Sequence, residues 1–454
     1  MNLKTLLWRS SITVAILVII LATFYAEENG RGRQVWKQVE HDIAARGESL
    51  NWNDYIPKPV PDDQNFYAAP MMREWFTRHT NACPASLAAL MANPDSEVDS
   101  FDEISASNYL AWCAAFEPDL NKVREAAKRP AARINGDYTK PFSQPIQNFV
   151  SYRGISRVLA HRARCHLLVG QPDKALEDLT LLHDLNFTLA KDGRPATLVE
   201  AMIHIAISGL YVNVVACGLN SHSWSEPELE ALQEQLSEIH LPPLLVYSFQ
   251  AERAGACHLV DMSVKEMMHA SGAPKPASDL GWWFIPHGWI DQNKTIIATA
   301  EGQMIESVDL TNQTISPFKA KATVAYWDKT FQRTTPWNFI ASLCIPNFSK
   351  AADTTGRNQT WADQAQIVCA LERYRLRNGQ YPPTLAALVP QFIGAIPKDI
   401  ISGKPMTYVR KDEQNYLLYS VGWNEADEGG IIARTKAGAE DRDNGDWVWH
   451  YPEP

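Results

Sequence analysis

Seventeen consecutive residues without a charge, Ser10 to Ala26 (SSITVAILVIILATFYA), constrain this chain more than any other feature. Wound as an α-helix at ~1.5 Å per residue they reach roughly 25 Å, close to the ~30 Å hydrocarbon thickness of a bilayer. Lys4 and Arg9 precede the run and the first acidic residue is Glu27. The positive-inside bias therefore holds residues 1–9 in the cytoplasm and sends everything after Ala26 across. A signal peptidase cutting after Ala26 would meet Phe24 where a small side chain is required. The segment 10–26 thus reads as an uncleaved, single-pass anchor in the cytoplasmic membrane, with bilayer lipid as its partner.

The remainder is long enough for two or three domains. With 45% hydrophobic and 21% charged residues, the whole chain has the makeup of a folded protein that buries a real core. A formal charge of −10 and the lack of any long basic run argue against a nucleic-acid partner, since phosphate binding needs clustered Lys and Arg. The 7 cysteines are widely spaced, with no C-x-x-C, and the odd number leaves at least one thiol unpaired. Cys165, Cys217, Cys257 and Cys369 fall in apolar helical stretches and read as small buried hydrophobes. Cys83 with Cys113 is the pair to test for a disulfide.

Residues 27–146 form an irregular, proline-broken lead-in, with helices expected at Arg33–Arg46, Met71–Thr80 and Ala106–Ala115. From 147 to 270 a helical bundle is expected. Its first two helices are joined by a tight turn at Gly170 and Pro172, a pairing that resembles a tetratricopeptide unit. Ala196–Leu219 is apolar nearly all round, yet carries Glu200, His204 and Asn213, which makes it a core helix and not a second crossing. Ser225 and Glu228 form a capping box for a fourth helix, and a fifth follows from Leu244 to about His269. Residues 271–350 are rich in Trp and Pro around one helix, 290–308; their aromatics suit either lipid headgroups or an open bundle end.

The final segment, 351–454, is expected to be a small α+β module. A helix from Thr360 stops at Gly379, and strands at Met406–Arg410 and Tyr416–Gly422 form a hairpin around KDEQN. Trp447 and Trp449 suggest a last short strand. The order of Arg375, Gly379, Tyr381, Pro382, Pro397, Asp399, Gly403, Pro405, Tyr408, Tyr419, Ser420, Gly422, Asp427 and Gly430 resembles the C-terminal domain of the major pseudopilin of type II secretion systems. It is similar also to the tail of large anchored proteins of planctomycete and verrucomicrobial type. The resemblance covers about 90 of 454 residues. The prepilin-peptidase site of pseudopilins is missing ahead of Ser10, and more than 300 residues separate the anchor from this segment. In pseudopilins the acidic loop after the sheet binds calcium. The resemblance therefore implies calcium at Asn424, Asp427, Glu428, Asp441, Asp443 and Asp446, where hard oxygen ligands could gather; a solvated acidic loop is the other reading.

No H-E-x-x-H, G-x-S-x-G, Walker or G-x-G-x-x-G pattern occurs. Cys165 and His166 are adjacent on a helix and point about 100° apart, which disfavours a nucleophile pair. Arg153, Arg157, His161 and Arg164, spaced four, four and three, share one helical face. They suit either an internal network with Glu200, Glu252 or Asp261, or an outward groove for an anion. The Asn-x-Ser/Thr triplets at Asn186, Asn293, Asn312, Asn347 and Asn358 are glycosylation acceptors only in a eukaryotic route. The chain is thus expected to be mainly α: a membrane helix, a helical-bundle ectodomain and a pseudopilin-like end. It is read as an extracytoplasmic binding or scaffolding protein of the bacterial envelope, with an envelope protein as its partner. The alternatives are an anchored hydrolase using Glu200, His204 and Glu252, or a secretion-apparatus component.

Overall fold

The computed structural model describes residues 3–77, 88, 91, 102–141, 144–190, 197–262, 285–345 and 350–449. It begins with one unbroken helix, α1 (Leu3–Ala45), 43 residues long. The expected anchor and the expected helix after it are therefore one rod. Its apolar stretch faces outward, with Val14, Leu17, Ile19 and Leu21 more than half exposed, whereas Trp36 and Ile43 further along are buried. α1 and a second helix, 198–220, are both long and apolar enough to cross a membrane, but the second is more than half buried within the body and the apolar part of α1 is not buried at all.

The lead-in folds back beneath the bundle as short helices pinned by buried aromatics. Phe66, Tyr67, Trp75 and Phe76 are all buried, and α2 (Met72–Phe76) carries two of them. Asn65 acts as the hinge pin: its side chain accepts from the Arg133 N–H at 2.9 Å and donates to the Arg133 carbonyl at 2.8 Å, closing a 68-residue loop. α3 (Glu103–Cys113) is capped by Asp102, whose carboxylate accepts from the Ser105 N–H. α4 (Glu117–Ala127) follows after one 3-10 turn, with Pro118 at its start.

The bundle consists of α5 (Phe149–Leu168), α6 (Pro172–Ala190), α7 (Leu198–Asn220), α8 (Glu226–Ser237) and α9 (Pro242–Asp261). The turn between α5 and α6 needs a left-handed residue, and Gly170 supplies it at φ +71°. The Ser225/Glu228 capping box forms as expected. α9 ends at Asp261, and the expected extension to His269 lies outside the described residues after 262.

Beyond the bundle come α10 (His287–Ile305), α11 (Pro317–Phe331) and α12 (Phe339–Cys344), where one helix was expected. A two-stranded ribbon, β1 (Val308–Asp309) with β2 (Thr314–Ile315), precedes α11. α10 runs parallel to α1: Gly288 N–H donates to Asn29 at one end, Lys294 lies 4.5 Å from the Trp36 ring midway, and Arg46 meets Glu306 at the far end. The crossing is tight enough that a Cβ on Gly32 or Gly288 would overlap opposing backbone.

α13 (Ala351–Asn378) starts nine residues earlier than expected and stops at Gly379, φ +74°. Its apolar stretch, Ala362 to Leu371, joins the same contiguous core as Leu229, Leu232 and Leu236 of α8 and Val212 and Val215 of α7. The hairpin β3 (Thr407–Arg410) and β4 (Tyr416–Ser420) pairs Thr407 with Tyr419 and Arg410 with Tyr416, and β5 (Trp447–Val448) adds to β4. Residues of the terminal pattern bond one another: Ser420 Oγ donates to Asp399 at 2.8 Å, Tyr408 to the Pro382 carbonyl at 2.8 Å and Tyr419 to Asp427 at 2.9 Å, while Tyr381 donates to the buried Glu372 of α13, outside the pattern.

Candidate functional site

A candidate site with unspent polar capacity beside an open cavity lies where α3 and α4 cover the α5–α6 hairpin. α5 buries Ile155, Leu159 and His166 along one stripe, and Arg162 falls on that stripe, 8% exposed. Its guanidinium is thereby turned into the protein, with Nη2 3.1 Å from Glu117 and Nε 3.3 Å from Oδ2 of Asp178 on α6. Asp178 is 1% exposed. His166 Nε2 stands 3.9 Å from the same Asp178 oxygen, and its Nδ1 pairs with Gln171 at 3.2 Å.

These groups attract one another without being fully bonded. Arg162 Nε and Nη1 and Asp178 Oδ2 are buried with no protein atom in hydrogen-bonding geometry, because the 3.3 Å approach of Nε is misaligned. Burial pushes the Asp178 carboxyl up to about 7, against the pull of Arg162. Burial likewise holds His166 below the ordinary imidazole range. A cavity of about 580 Å³ opens over this group, with Arg124, Lys174 and Glu177 at its walls. Its charges are of both signs, so the arrangement suits a small polar ligand carrying both, or an acid bound through the unspent guanidinium nitrogens.

The residues singled out from the sequence fall elsewhere. Arg153 is exposed and Arg157, His161 and Arg164 are half-buried along the neighbouring stripe of α5, with the His161 ring 6.0 Å from that of Tyr109. Arg157, His161 and Arg164 each have interactions within the protein. Of the acids expected to meet them, Glu252 accepts the Leu198 N–H at 2.8 Å, Asp261 holds Lys294 at 2.7 Å, and Glu200 accepts from Gln147 at 2.7 Å. Arg162 was legible as a buried cation, since Ile155, Leu159, Arg162 and His166 follow the four, three, four spacing of a core stripe.

Of the residues named for a hydrolase, Glu200 and Glu252 are engaged by Gln147 and the Leu198 N–H, and His204 meets an amide at its Nδ1. His204 is buried, its Nδ1 pairs with the Asn186 amide at 2.8 Å, its ring packs on Tyr152, and burial lowers it to about 4. Cys165 is buried and pushed up to about 12, far from a thiolate at neutral pH. Cys113 is buried and pushed up to about 11; Cys83 lies outside the described residues.

The acidic loop divides in two. Asp446, 2% exposed, accepts the N–H groups of Gly430 at 2.6 Å, Ile431 at 3.2 Å and Glu428 at 3.4 Å. Asn424 donates to Glu428, and Asp427 binds Tyr419. Asp441 and Asp443 belong to the next turn, where Asp441 accepts from the Asp443 N–H and Asn444. Among the described residues no group of three or more His, Cys, Asp or Glu is gathered to hold a metal ion.

Compared with known protein families, characterised proteins and solved structures, the chain matches none.

Proposed function

We propose that this chain is a membrane-anchored, extracytoplasmic binding or scaffolding protein of the bacterial envelope, held by α1 with residues 1–9 inside. The observation that carries the reading is the continuity of α1: its uncharged, outward-facing stretch and its buried Trp36–Ile43 stretch belong to one helix with no linker between. An exposed apolar rod of this length has no stable place in water, and Lys4 and Arg9 give it its direction. Ligand binding in this reading belongs to the Arg162–Asp178 cavity, supported by its unspent guanidinium nitrogens and oxygen. A relation of residues 351–454 to the pseudopilin terminal domain is part of the same proposal.

Alkaline carbonate extraction of membranes containing the full chain tests the anchor. The protein is expected to stay in the pellet and to enter solution only with detergent. Release of the intact chain by carbonate would overturn the reading.

A further inference from the structure

The uncharged stretch of α1 ends at Ala26, with Glu27 and Glu28 as the first carboxylates. The body meets α1 at that level. Trp289 at the start of α10 donates its indole N–H to Glu28 at 2.8 Å, and its ring lies 6.1 Å from Phe24, inside the uncharged stretch. Trp337 stacks edge-on at 6.1 Å from Trp289. Its position is fixed by the buried Asn293 amide, which donates to the Pro336 carbonyl at 3.1 Å and accepts from the Ala341 N–H at 3.0 Å. Trp337 and Phe339 are nevertheless each 41% exposed. Beside them opens an apolar cleft of about 390 Å³ walled by Ile285, Ile290, Pro336 and Phe339.

We infer that Trp289, Trp337 and Phe339 form a collar by which the body rests on the bilayer that holds α1, with Trp337 and Phe339 lodged among lipid headgroups and the first acyl carbons. The inference rests on the anchor reading of α1 and adds to it a second contact with the same membrane. Indole rings are amphipathic and favour the headgroup level, and these stand at the anchor's exit. The occupant is lipid and not another protein because the patch is continuous with the apolar face of α1 through Phe24. Since α1 has no hinge, the collar fixes the tilt of the whole body over the membrane.

The test uses the full chain in liposomes of phosphatidylethanolamine and phosphatidylglycerol. The photoreactive residue p-benzoylphenylalanine is placed singly at Val14, Phe318, Trp337 or Phe339, and lipid adducts are read by mass spectrometry. Phe318, 74% exposed, follows the far end of α10, where Arg46 meets Glu306; that end is 18 residues along α1 from Glu28, roughly 27 Å. Lipid adducts are expected at positions 14, 337 and 339 and not at 318. An adduct at 14 with none at 337 and 339, protein crosslinks at 337 and 339, or equal lipid adducts at 318 would overturn the collar and leave the anchor. No adduct at 14 would overturn the anchor itself. As a second measurement, lipid brominated near the headgroup should quench the wild-type tryptophan emission more than that of Trp337→Phe; equal quenching would overturn the collar.

Discussion

Replacing Asp178 by Asn isolates the electrostatics of the candidate site. Unfolded, an aspartate titrates near ~3.9; folded, burial pushes Asp178 up to about 7. Below about pH 4 both states hold the proton and the group leaves stability unchanged. Between there and pH 7 the folded state keeps a proton that the unfolded chain has released, so stability falls as pH rises, and above pH 7 the loss is complete. At ~1.4 kcal/mol per pH unit, easing off as pH nears 7, the step from pH 5 to pH 7 amounts to about 2 kcal/mol from this one carboxyl. Glu252, pushed up to about 7, and Asp353, up to about 6, tilt the profile the same way. His204, lowered by burial to about 4, and His166, also lowered, tilt the profile the other way, so the comparison between variants isolates Asp178: Asp178→Asn is expected to lose about 2 kcal/mol less than the wild type between pH 5 and pH 7. Arg162→Met should steepen the slope, because Arg162 is the cation that restrains the shift. Chemical denaturation of the full chain in detergent, followed by tryptophan fluorescence, reads both. Identical slopes for wild type and Asp178→Asn would refute the reasoning.

The α1–α10 crossing should not tolerate a side chain: Gly288→Leu places atoms against the Glu28 backbone and is expected to cost about 3 kcal/mol or more, seen as a lowered melting temperature, while Gly30→Leu, which meets nothing within 4 Å, should not. Asp446→Ala takes a buried carboxylate acceptor away from three backbone N–H donors and should cost about 2–3 kcal/mol by the same melt. With Asp446 already engaged by backbone N–H groups, chelation by EDTA is expected to leave the melting temperature unchanged; a drop reversed by added calcium would assign the ion to the loop.

Much of the bundle was legible because its helices carry strong punctuation. Gly170 and Pro172 mark one turn, the Ser225/Glu228 box opens α8, and Gly379 closes α13, each a backbone requirement that few residue types satisfy. The sequence misled where small or polar residues do packing. The expected helix after residues 10–26 starts only at Arg33, yet α1 continues without interruption through Gly30 and Gly32, and Gly32 serves the close approach to Gly288. The helix expected from Thr360 begins at Ala351, because Asp353, Thr355, Arg357 and Gln359 are buried there, with Arg357 paired to Glu440 across the chain. Asn186 and Asn293, read only as glycosylation triplets, hold His204 and the Pro336–Ala341 turn. The candidate site was missed for a related reason. The four, four, three spacing of Arg153, Arg157, His161 and Arg164 marks the half-exposed stripe of α5, whereas the pairing of Arg162 with Glu117 and Asp178 joins three separate helices and has no local signature.

The account turns on the body lying across the membrane from residues 1–9. Protease added to intact spheroplasts that display the full chain, tagged at its N-terminus, measures this directly. The body is expected to be digested from outside, leaving a short tagged fragment that spans the beginning of α1. A chain that survives intact until the spheroplasts are lysed would contradict the orientation and the envelope role together.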